Sequence, residues 1–98
     1  MILSNEPGYY REGAFGIRLE NLIVVQEARA LEGADERPMF DFLTLTYVPI
    51  ARALICKEML SGAERNWLNL YHKACYENIA PRLSPEARMW LSDATQDI

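Results

Sequence analysis

One histidine, two cysteines, five glycines and five prolines are all that the chain holds of the residue types that most often mark a site or punctuate a fold. Cys56 and Cys75 are too few for a disulfide framework, and their spacing fits no zinc or redox signature. With His72 the single imidazole, no nucleophile–base pair stands out, and neither a P-loop nor a GxGxxG is present. Lys and Arg form no block and the net charge is −4, which argues against a nucleic-acid surface or a polybasic membrane patch. No apolar run approaches the ~20 residues that cross a bilayer. The first residues lack the basic-then-apolar build of a signal peptide, so a cytoplasmic location is expected by default. Internal repeats and low-complexity tracts are absent as well.

What is present is ordinary globular material, 50% hydrophobic and 24% charged over 98 residues, enough for one domain or part of one. Within it, "NEPGYY" (5–10) fixes the backbone tightly around one acid. Pro7 locks its own φ and pushes Glu6 toward an extended conformation, while Gly8 permits angles closed to other residues. Glu6 is thus expected at a strand end, aimed by a rigid turn. Taken alone, the hexapeptide reads as an exposed acid in a Pro-Gly turn. A second acid follows in "GIRLENLIVV" (16–25), which has the composition of a strand. Alternation places Arg18, Glu20, Leu22 and Val24 on one face and Ile17, Leu19, Ile23 and Val25 on the other. Both faces are apolar in the second half, so the strand is expected to be covered on both sides, with Arg18 and Glu20 near an interior where unpaired charge is costly. A simple ion pair between them is the plainer compensation. A metal ion, with Arg18 holding a further carboxylate, is the sharper one.

The remaining punctuation gives the organisation. Ile2–Ser4 reads as the end of a strand, "YYREGAFG" as a loop or hairpin connection, "LEGADERP" as a charged surface loop, and "MFDFLTLTYV" as a strand ended by Pro49. After the apolar connection "ARALICKEML", Ser61 and Glu64 form a capping box for a helix that Pro81 stops. Leu60, Trp67, Leu68, Tyr71, Cys75 and Ile79 recur along it at helical spacing. A second helix takes Ser84 as N-cap and Pro85 as its first residue, and is expected to bury Ala87, Trp90, Leu91 and Ala94. The two Trp-bearing faces are expected to meet each other or to cover the sheet. His72, Cys75 and Cys56 have the side chains of a metal site, but an apolar face carrying a buried thiol and a partly buried imidazole is the better reading. Trp67, Tyr71 and Trp90 read as core before they read as a ligand groove.

Together, "SNEPGYYREGAFGIRLENLIVV", "GADERPMFDFLTLTYVPIARALI" and "LSGAERNWLNLYHKACYENIAPRLSPEARMWLSDAT" resemble, almost end to end, the C-terminal portion of a bacterial Xaa-Pro aminopeptidase, a two-metal exopeptidase of the pita-bread superfamily. EPG followed by GIRxEN at this spacing is a specific signal. The resemblance implies an α+β fold and an incomplete domain: antiparallel strands from the end of a catalytic domain (1–50), then a two-helix C-terminal tail (51–98). It implies two divalent ions, manganese in the usual case, and peptide substrates with proline in the second position. By motif, Glu6 corresponds to a metal-binding glutamate that also handles the catalytic proton. Glu20 corresponds to the carboxylate bridging both ions, and Tyr10 and Arg18 to residues that orient a ligand aspartate. Such an ion pair lowers the pKa of bound water enough to give a hydroxide near neutral pH.

The chain departs from that pattern in lacking the two aspartates and the histidine that complete the five ligands, along with the further histidines that stabilise the transition state. Leu43 stands where relatives often place Glu. Two carboxylates fall short of the about six donors a hard divalent ion prefers. The expectation is therefore a truncated or separately encoded piece that binds no metal and is catalytically silent alone. An interaction role is the alternative, with the tail contributing to a homodimer or to self-association. A stand-alone metal site from Glu6, Glu20 and His72 is a third and weaker reading.

Overall fold

The computed structural model describes all residues, 1–98. They form two compact units, Met1–Thr46 and Tyr47–Ile98. Antiparallel strands in the first and helices in the second make an α+β chain, as expected.

The first unit holds β1 (Ile2–Asn5), β2 (Gly8–Arg11), β3 (Phe15–Arg18), β4 (Asn21–Glu27) and β5 (Phe40–Thr44). β1, β4 and β5 make a three-stranded antiparallel sheet in that order, and β2 pairs with β3. One register runs through both pairings: Ile2 faces Val24 and Asn5 faces Asn21, then Gly8 faces Arg18 and Arg11 faces Phe15. Residues 1–25 are therefore one long β-hairpin, interrupted in the middle. It turns at Glu12–Ala14, where Gly13 takes φ 68° and Ala14 N–H donates to the Arg11 carbonyl over 3.1 Å. The single strand expected over 16–25 is thus two strands with a break at Leu19–Glu20. The cause lies across the ladder. Leu19 N–H donates to the Pro7 carbonyl at 3.0 Å, but Pro7 has no N–H to return, so the pair loses one of its two bonds.

β5 stops at Thr44, five residues before Pro49. Leu31–Pro38 is the exposed loop its charges suggest. No side chain of the first unit is fully buried, and Arg18 and Glu20 are about half exposed rather than interior. Nothing in this unit lies over the sheet to cover a second face, which is why the expected two-sided burial does not occur.

In the second unit, two 3-10 turns (Arg52–Leu54 and Lys57–Met59) lead into α1 (Gly62–Ile79). Its capping box is complete: Ser61 N–H donates to Glu64 Oε2 at 2.8 Å, and Glu64 N–H to Ser61 Oγ at 3.1 Å. The helix gives way to a 3-10 turn at Ala80–Arg82, which contains Pro81. α2 (Pro85–Ala94) starts at its Ser84 cap. Leu68, Tyr71, His72, Cys75, Ala80 and Leu91 form the core. Trp67 and Trp90 do not join it, being 52% and 66% exposed. Of the four residues expected to be buried on α2, only Leu91 is; Ala87 and Ala94 are half-buried. The spacing found Leu91 and its half-buried neighbours Ala87 and Ala94, but it wrongly assigned Trp90 to the same buried face.

A candidate carboxylate site

Extending the β1–β4 register one step past Asn5 and Asn21 sets Glu6 directly opposite Glu20. The backbone bonds from Val25 to Met1 and from Leu19 to Pro7 set the phase of the ladder. That phase makes Glu6 and Glu20 a non-hydrogen-bonded pair, the kind in which opposed side chains approach most closely. Like charges so placed repel. Arg18, one β-repeat before Glu20, offsets the repulsion: its Nη1 lies 3.3 Å from Glu6 Oε2 and its Nε 3.0 Å from Glu20 Oε2. The ion pair between Arg18 and Glu20 considered from sequence is real, and it extends to Glu6. On the other side, the Ser4 hydroxyl donates to Glu6 Oε1 over 2.6 Å.

Tyr10 lies on the same hairpin face as Arg18, since Gly8, Tyr10, Gly16 and Arg18 alternate together in register. Its ring lies close over both glycines. A Cβ on Gly8 or Gly16 would come within 2.8 Å of Tyr10 ring atoms, so both positions are kept free of a side chain for this packing. On the opposite face Tyr9 meets Phe15 with ring centroids 6.0 Å apart. Glu6, Tyr10, Arg18 and Glu20 therefore all belong to one hairpin, and Arg18 ties the two acids together.

The chemistry of this donor set suits a hard divalent cation: two carboxylates, half exposed, held side by side. They are a partial shell, because neither unit brings together three residues among His, Cys, Asp and Glu. His72 is engaged elsewhere. It is fully buried, not partly so as the sequence suggested, and its Nε2 accepts the Ile50 N–H at 3.0 Å. Burial, and next the Arg52 charge, hold its pKa below the usual imidazole value. Cys75 is buried beside it with its pKa raised by burial, a core thiol, whereas Cys56 is exposed. Nor do the aromatics form a groove. Trp67 stacks on Tyr71 with centroids 5.5 Å apart, and the open groove of about 440 Å³ in this unit is lined by Asn66, Asn69, Lys73, Tyr76, Ser92 and Asp97 among others.

Sequence reasoning missed Ser4. Its signal was available, because two residues apart in an extended segment is the spacing that puts a hydroxyl and a carboxylate on one face.

The family model describing the C-terminal region of peptidase_M24 matches residues 38–98. A probable Xaa-Pro aminopeptidase P of Tuber melanosporum is 42% identical over 100 residues, covering 100% of this chain and 16% of that protein. One of Arthroderma benhamiae is 39% identical over 99 residues, covering 99% and 14%. A crystal structure of X-prolyl aminopeptidase from Caenorhabditis elegans, described as a cytosolic enzyme with a di-nuclear active site, superposes with a TM-score of 0.84 at 33% identity, covering 99% of this chain and 16% of that one. The chain thus spans about a sixth of the length of the proteins it resembles.

Proposed function

The chain belongs to the peptidase M24 family, whose C-terminal region it carries, and on that premise we propose that it supplies part of the dinuclear site of an Xaa-Pro aminopeptidase. Residues 1–50 would be the end of the catalytic domain and 51–98 the helical tail. The observation that supports this most is the pairing of Glu6 with Glu20. Two acids opposed in the middle of a hairpin, with the ladder broken beside them, oppose folding stability, and such a cost is the mark of a site rather than a scaffold.

In this reading Glu6 and Glu20 each contribute carboxylate oxygens to a pair of divalent ions, manganese by preference, with the remaining donors on polypeptide outside these residues. When bound, the ions supply Lewis acidity and lower the pKa of water. Arg18 keeps the two acids at a common position, and Tyr10, packed on Gly8 and Gly16, stiffens the hairpin that presents them. Glu6 takes a proton from the attacking water and returns it to the departing amine of the prolyl peptide. Substrates are peptides with proline second, and the compartment is the cytoplasm. The 98 residues alone bind no metal tightly and are inactive.

Grafting tests this. The chain is joined to the upstream part of the Tuber melanosporum relative and assayed for metal-dependent release of the residue preceding proline. Activity that disappears in Glu6→Gln and in Glu20→Gln supports the assignment; unchanged turnover in either variant removes that residue from the mechanism.

A second reading, association through exposed apolar surface, draws on a separate observation. Trp67, Leu70, Met89 and Trp90 are each more than half exposed in the helical unit, and Ile2, Phe40 and Phe42 in the strand unit, where β1 and β5 also leave open edges. A homodimer or a looser self-association of the chain follows from it. Light scattering that finds only monomer at high concentration counts against it.

A further inference from the structure

We infer that Ser4 is a positioning residue for Glu6, a role that rests on the peptidase reading above for its catalytic meaning. Glu6 directly follows the last residue of β1, at a step of the ladder where its own backbone makes no cross-strand bond, and its side chain is about half exposed. A glutamate there has three free torsions and little packing to choose among them. Arg18 restrains only Oε2, and over a long 3.3 Å contact that it shares with its shorter hold on Glu20. Ser4 restrains the other oxygen at 2.6 Å, a charge-assisted bond and the shorter of the two on Glu6. Its own backbone is fixed inside β1 opposite Leu22, and its short side chain has one torsion against three for Glu6, so the hydroxyl is the better anchored of the two groups.

With one donor on each oxygen, the carboxylate plane is set. Each oxygen keeps a further lone pair free for a cation or a proton. Arg18 alone would leave the group free to pivot about Oε2. Serine suits the position because its hydroxyl reaches a same-face neighbour without crowding it. Threonine carries the same donor, whereas alanine does not.

The test is made in the grafted full-length enzyme with Ser4→Ala and Ser4→Thr. Ser4→Ala is expected to weaken manganese binding, measured by titration calorimetry, and to lower kcat by about tenfold with KM little changed, the size of one charge-assisted bond lost. Ser4→Thr is expected to stay close to the parent in both. Parent-like affinity and kcat in Ser4→Ala would overturn the inference, as would a Ser4→Thr variant as impaired as Ser4→Ala, since the hydroxyl would then not be the cause. Glu6→Gln separates this from the larger reading. If that variant turns over like the parent, the peptidase role of Glu6 fails, and the Ser4 inference stands or falls on manganese affinity alone.

Discussion

Ile50 gives its backbone N–H to Nε2 of His72 across 3.0 Å, and the imidazole that accepts it is wholly buried. Only a neutral ring can accept this bond, and burial and Arg52 both disfavour the charged ring, while Asp97 opposes them more weakly. Tyr71, the preceding residue, donates its hydroxyl to the Val48 carbonyl at 2.8 Å, so two consecutive side chains of α1 grip the segment around Pro49. Because the folded pKa is depressed, the unfolded chain binds the proton first. Stability is then fully present above the ordinary imidazole value of about 6.5 and is lost as pH falls through it toward the lower folded value. Thermal unfolding of the helical unit, followed by circular dichroism between about pH 8 and pH 5 on either side of that value, should show a falling midpoint. A slope that survives His72→Gln unchanged would place the acid sensitivity elsewhere.

Arg18→Met keeps the aliphatic stem and removes the charge, leaving Glu6 and Glu20 opposed without a counter-ion. Both contacts are half exposed, so solvent screening limits the expected loss to less than about 1 kcal/mol. Denaturant titration at low salt should reveal it, high salt should shrink it, and adding Glu20→Gln should recover it. A loss that is indifferent to both salt and Glu20→Gln would show that Arg18 acts through packing.

Gly16→Ala puts a methyl group within 2.8 Å of the Tyr10 ring. The ring is largely exposed and can swing away, so the expected cost is about 1 kcal/mol, near the low end for overpacking. The Tyr10 ring resonances should shift in NMR spectra, and Tyr10→Ser should make the glycine substitution nearly neutral. Additive effects of the two changes would mean that the ring and the glycine are not coupled.

Ser61→Ala removes the hydroxyl that accepts the Glu64 N–H at the start of α1, leaving only the backbone half of the capping box, and should destabilise the helical unit by about 1 kcal/mol. Glu64→Gln retains a side-chain acceptor for the Ser61 N–H and should cost less. The denaturation midpoint followed by helical circular dichroism checks the order.

These residues also show how far the chain could be read before its structure was known. The Ser61–Glu64 box, the Ser84 cap and the proline at the start of α2 were legible because capping depends on three or four neighbouring residues. The break at Leu19–Glu20 was not, because Pro7, which causes it, lies on the opposite strand. A strand pattern is read along the chain, whereas a ladder is built across it. Helical spacing placed Trp67 and Trp90 on faces but carried no information about what covers those faces. For the site, the local pattern singled out Glu6, Arg18 and Glu20, and Tyr10 came only with the family resemblance. The direct opposition of the acids required the register, which the turn at Gly13 sets, and Ser4 was visible only as a same-face neighbour.

That Glu6 and Glu20 share one hairpin has a kinetic consequence. Their meeting needs only the formation of one β-hairpin about the turn at Gly13, an event of about 1–10 μs, with no distant segment having to arrive first. Local pairing of this kind is expected to precede long-range contacts, so Arg18→Met should slow the folding of the hairpin as well as weaken the finished one, which stopped-flow refolding would show.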